Sequence, residues 1–273
     1  MRRVAQTAFH HAGPLQIGRW ANRKGLRILM YHRFEDGAQL DRQCEHIRAH
    51  YAPVSMSAVA GWLQHGRPLP QNALAITVDD GYRDFLTVGY PVFVRHRIPA
   101  TVFLVSDFLD GKRWLWTDVV RYAVENAGVS KAEIELSSSR MSIDLESHAS
   151  RSAAIVWIKE AVKRLSRADQ LEVVARLPQA LQSRMPESLP AAIQPLAWDE
   201  VRAMAEEGLV EFGAHTRTHP ILSSLTSAEE LRDEIAGCKA RARSKRPWVL
   251  RIASQATRMT SEGFMLHLRV TQV

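Results

Sequence analysis

The chain has 273 residues, 46% of them apolar and 24% charged, which excludes fibrous, low-complexity and disordered classes and leaves one large domain or two small ones with a buried core. Its formal net charge is +7, but residues 239–273 hold eight Lys or Arg against Glu262 alone, so the excess lies in a tail and gives the rest no pull toward nucleic acid. Apolar runs such as residues 153–158 fall far short of the ~20 needed to span a bilayer, and residues 1–20 lack the apolar core of a secretion signal, so a cytoplasmic or membrane-peripheral protein is expected.

In chain order, residues 27–32 read as a short buried strand, and Leu40, Cys44, Ile47 and Tyr51 then recur at helical spacing. Residues 53–56 read as a second strand and 58–63 as a short helix, before Gly66, Pro68 and Pro70 break the chain. Residues 73–78, ALAITV, form an unbroken apolar run, as a strand buried on both faces requires, and end at Asp79, Asp80 and Gly81. A helix over 84–96 and a strand over 101–105 continue the alternation, which specifies a parallel α/β sheet or barrel. Residues 107–197 depart from it, with a helix predicted over 152–165 and four prolines near the end, and read as a largely helical insertion. The alternation resumes with a helix over 198–207, a stop at Gly208 and a strand over 209–212. Thr226 followed by Glu229 reads as a capping box opening one more helix. Cys44 and Cys238 have neither metal nor disulfide spacing.

Reacting groups in α/β barrels collect at the C-terminal ends of strands. Two such ends carry the right residues. Asp79 and Asp80 follow the buried run, so that one carboxylate can hold a metal while the other moves a proton; an ordinary turn accounts for the pair equally well. His215 and His219 stand four apart beyond a later strand, a spacing that lets two imidazoles meet one ion on a helical turn. With Asp80 they make a three-ligand set, leaving Asp79 as base. Tyr31 and His32 read as a buried polar pair supporting the barrel mouth. Trp114, Trp116 and Asp118 read either as a platform for a sugar ring or as the core anchor of an inserted helix.

ILMYHRF at 28–34, LPQNALAITVDDGYRD at 69–84, IPATVFL at 98–104 and LAWDEVRAMAEEGLVEFGAHTRTHPILSSLT at 196–226 follow in an order and spacing that resembles the polysaccharide deacetylase family, the NodB homology domain. The resemblance implies a distorted parallel (β/α) barrel over residues 26–238, with the insertion at 107–197, that removes acetyl groups from N-acetylated sugars. It implies Asp79 as general base and Asp80, His215 and His219 as ligands of zinc, or of cobalt or a similar divalent ion. Such an ion would lower the pKa of bound water toward ~7 and polarise the acetyl carbonyl.

The resemblance covers about residues 25–238 and fades in the tail, where the family's aromatic-Pro and Leu-x-His motifs are not found; Leu266 and His267 lie too close to His219 to supply the latter. With a basic segment at 1–25 and a tail at 239–273, the barrel is expected to be incomplete at its C-terminus. The tail then reads in two ways, as the product of an altered frame or truncation, leaving an impaired metal- or carbohydrate-binding protein, or as a genuine segment for an anionic partner such as membrane lipid.

Overall fold

The structure, a computed structural model, describes Gly18, residues 20–136, residues 139–245 and residues 270–272. Most of the 1–25 segment and of the 239–273 tail, including Leu266 and His267, therefore lies outside the described residues. The chain divides into two compact units, one drawn from Met1–Leu104, Leu196–Gly213 and Ala242–Val273, the other from Val105–Pro195 and Ala214–Arg241.

The first unit is a parallel sheet with helices, the layout of a distorted α/β barrel. Its strands are β1 (Arg27–Tyr31), β2 (Ala52–Val54), β3 (Ala73–Val78), β4 (Ala100–Leu104), β7 (Val210–Ala214) and β8 (Val270–Gln272). The order is β7-β4-β3-β1-β8, with β2 also on β3. The apolar run of β3 is buried at all six positions, with neighbouring strands on both edges and Val59 of the helix Met56–His65 packed on Ala75. On one edge β1 runs parallel with it from Arg27↔Leu74 to Tyr31↔Val78. The other edge is shared: β2 takes Ala73 to Ala75 and β4 takes Thr77 and Val78. The tail contributes a short parallel strand against Ile28, Leu29 and Met30, too brief for a periodic pattern to show in sequence.

Local chemistry sets the helix starts. Asp36 caps Gly37–His50 by accepting from the amides of Ala38 and Gln39, and Leu40, Cys44 and Ile47 form its buried face. Ser55 caps Met56–His65, which ends at Gly66 with φ 64°, a left-handed stop that glycine adopts without penalty. A π turn, Phe85–Gly89, leads into the helix Tyr90–His96. Phe34, Phe85 and Phe93 pack together beneath it, with Tyr31 stacked on Phe34 at 5.4 Å.

The second unit holds the insertion, and it is not solely helical. Besides the helices Trp116–Glu125, His148–Val162 and Arg167–Ala180 it contains an antiparallel hairpin of β5 (Lys131–Leu136) and β6 (Ser139–Asp144). Val120, Val124, Ile134, Ile158, Leu177 and Leu181 form its core. Arg151 ties three segments together, donating to the carbonyls of Leu145, Val124 and Glu125, so that one guanidinium satisfies the C-terminal end of Trp116–Glu125. The expected capping box at Thr226 is corrected by one residue: Ser227 accepts from the Glu229 and Glu230 amides. Cys44 and Cys238 are buried and form no disulfide, and no described helix is long and apolar enough to cross a membrane.

Two expectations test this packing. A Cβ on Gly213 would stand 2.5 Å from the Phe103 ring, so Gly213→Ala should lose about 1–3 kcal/mol in denaturant unfolding, whereas Gly37→Ala, meeting Val88 at an ordinary 3.5 Å, should not. Asp41 joins two helices by accepting from His96 and Arg95, and the His96 hydrogen bond, followed by Arg95, holds its carboxyl below the usual range against the opposing effect of burial. A lowered carboxyl stabilises the fold above its unfolded pKa of ~3.9 and loses that effect as pH falls through the folded value. The melting-temperature gap between wild type and Asp41→Asn should therefore be present at neutral pH and close below about pH 4.

Candidate functional site

The pairing of β1 with β3 continues one residue past Val78, because the Asp79 amide donates to the Tyr31 carbonyl at 2.9 Å. The chain then turns sharply through Asp80 (φ 74°) and Gly81 (φ 83°). Glycine takes this left-handed conformation freely and aspartate better than most residues, which explains the order Asp-Gly at the turn. Both carboxylates end up largely buried, Asp79 at 9% exposure and Asp80 at 4%. Burial pushes the Asp79 carboxyl above its ordinary value, and the charge of His32, whose Nε2 lies 3.9 Å from Asp79 Oδ2, opposes part of that rise. His32 is thus a neighbour of the acid pair, half-buried rather than the buried support expected, and its position in β1's extension was the one signal for it. Tyr31 instead points its hydroxyl to Gln43.

The segment after the pair is anchored by charge. Arg33 Nε donates to Asp84 Oδ2 at 2.5 Å while its guanidinium sits 4.2 Å over the Tyr82 ring, and Arg83 pairs with Glu200. Burial raises the Asp84 carboxyl, and the Arg33 hydrogen bond and charge act against it.

In the second unit, His215 and His219 lie on a loop rather than on the expected helical turn. Thr216 (φ 68°) and His219 (φ 59°) are both left-handed, which a helix forbids, and the rings still meet at 5.2 Å between centroids. The loop's hydrogen bonds account for its shape. The carbonyls of Thr216 and Arg217 accept from Ser106 and Asp107, the amides of Arg217 and Thr218 donate to Glu234 Oε2, and the His219 amide donates to Thr216 Oγ1.

Asp80 belongs to the first unit, and the rings of His215 and His219 stand together in the second. One carboxylate and two imidazoles are a donor set that suits zinc and related divalent ions and leaves positions for solvent and substrate. Trp116 packs on the core of the insertion, Asp118 is buried, and Trp114 meets Tyr122 edge to face at 5.3 Å. Trp116 is partly buried against that core.

The family model described as polysaccharide deacetylase matches residues 66–254, more than half of the chain. The chain belongs to the polysaccharide deacetylase family. The match opens after the first strand and runs past residue 238 into the basic tail. This deacetylase-family chain is 35% identical over 60 residues to the poly-beta-1,6-N-acetyl-D-glucosamine N-deacetylase of Escherichia coli (strain K12), covering 22% of this chain and 9% of that protein. Among solved structures it is similar to the BpsB deacetylase domain of Bordetella bronchiseptica, at 20% identity and TM-score 0.42 over 81% of this chain and 74% of that one. IcaB of Ammonifex degensii is similar at 15% identity and TM-score 0.46, over 81% and 70%.

The charged anchor behind the acid pair is testable without substrate. Arg33→Ala should cost about 1–3 kcal/mol because it leaves a mostly buried carboxylate without its cation. In a double-mutant cycle with Asp84→Asn the two losses should fall short of additive, and additive losses would show that the pair is not coupled.

Proposed function

We propose that this chain hydrolyses the acetyl amide of N-acetylated sugars in a polysaccharide or its precursor, using a divalent metal, zinc foremost, held by Asp80, His215 and His219. The observation that carries the reading is the family match, which takes in both the acid pair at the end of β3 and the two imidazoles 5.2 Å apart. When bound, such an ion supplies Lewis-acid polarisation of the acetyl carbonyl. The remaining work falls to the chain itself. Asp79 is the base: its buried carboxyl holds a proton more readily than an exposed one, which suits a group that must take a proton from attacking water. His32, 3.9 Å away, opposes part of that rise in Asp79. Asp80, on its left-handed turn, is left to the ion.

The printed name of the Escherichia coli relative makes oligomers of β-1,6-linked N-acetylglucosamine the first substrate to try. Trp114, half-buried beside Tyr122, is the aromatic surface proposed to meet a sugar ring, with Asp118 on the same segment.

With zinc or cobalt added, wild type should release acetate from such oligomers, and Asp79→Asn should be slower by about 10²-fold or more. Equal rates would remove Asp79 as base. His215→Ala and His219→Ala should each lower the bound metal measured by elemental analysis, and undiminished stoichiometry in both would refute the ligand set. One equivalent of metal with no acetate from any acetylated oligosaccharide would leave a metal- and carbohydrate-binding protein instead.

A further inference from the structure

Within the second unit, the helical segment that runs from Ala228 to Lys245 is interrupted by a π turn, Asp233–Gly237. A π turn widens the helix by one residue and redirects the side chains it carries, and such turns recur where a side chain must reach a particular target. Here it carries Glu234, a carboxylate only 6% exposed. A carboxylate so buried is costly unless its oxygens are hydrogen-bonded, and these are. Oε2 accepts from the Arg217 amide at 2.9 Å and from the Thr218 amide at 2.8 Å, and Oε1 accepts from the Thr218 hydroxyl. Arg167 completes the arrangement by donating to the same hydroxyl oxygen at 3.1 Å, bringing a cation toward the buried acid. Every one of these donors lies between His215 and His219 or answers a group that does.

The loop needs this support. Its two left-handed residues, Thr216 and His219, flank the two amides that Glu234 collects, and neither is a glycine. A backbone in that conformation persists where surrounding bonds over-determine it. One turn further along the same helical segment, the buried Cys238 reaches the backbone of His215 and of Ser106. The segment thus grips the loop at both ends, near each histidine.

We propose that Glu234 is a positioning residue that sets the conformation of the 215–219 loop and so the approach of the two imidazoles to one ion; this rests on the metal site of the proposed function. Glu234 acts through the Arg217 and Thr218 amides and the Thr218 hydroxyl.

Cobalt(II) titration of the full chain, followed by its visible absorption, tests this. Glu234→Gln, which keeps the shape but removes the charge and one of the two accepting oxygens, should weaken cobalt binding by about 10–100-fold and alter the band intensities. Arg151→Ala, which loosens the insertion elsewhere, should lower the melting temperature while leaving cobalt affinity at the wild-type value. If Glu234→Gln does not fold, Thr218→Val decides, with a smaller loss of several-fold expected from removing one of the three bonds. A folded Glu234→Gln, or failing it Thr218→Val, with wild-type affinity and spectrum overturns the proposal, as does an equal loss in Arg151→Ala. Wild type that takes up no cobalt overturns the metal site itself, and this inference with it.

Discussion

A strand buried on both faces cannot present chemistry along its length, only where it ends, and this constraint organises the first unit. β3 spends six consecutive side chains on packing. The first polar groups it can offer are Asp79 and Asp80, and they emerge where β1 still pairs with the chain through the Tyr31 carbonyl. Two carboxylates are therefore delivered at one point, in surroundings dry enough to raise the proton affinity of Asp79. The aromatic packing of Tyr31, Phe34, Phe85 and Phe93 below, and the Arg33–Asp84 pair beside it, hold that point in place.

The two motif segments are solved by different means. After the acid pair, backbone curvature comes from residue choice, with glycine at the tightest position. In the histidine loop no glycine is present, and the same left-handed geometry is imposed by hydrogen bonds from a distant helical segment. A helix with a π turn follows each motif, Phe85–Gly89 after the first and Asp233–Gly237 after the second.

The sequence made β3 legible because burial on both faces leaves an unbroken apolar run, and the acid pair was legible because it stood at that run's end. The helices capped by Asp36 and Ser55 were visible through their apolar spacing. The spacing of His215 and His219 pointed to a shared ligand, but not to the loop conformation, since Glu234 lies too far along the chain for any local pattern to reveal its role. The hairpin was overlooked although Ala132, Ile134 and Leu136 alternate with charged residues, because the surrounding helical periodicity dominated the region. β8 spans three residues, fewer than any period can register. The family match past residue 238 likewise reaches into a stretch whose composition had set it apart.

The shared edge of β3 has a consequence for how this unit can vary. β2 occupies the half of that edge farthest from the acid pair and β4 the half nearest to it, with Ile76 at the fork between them. The segment Ala52–Val54 and the helix after it therefore border the inert end of the strand. Drift there can retune the sheet's robustness while the reacting end keeps its shape, whereas a change in β4 cannot be absorbed so quietly. One strand thus separates a region open to evolutionary experiment from one that is closed to it.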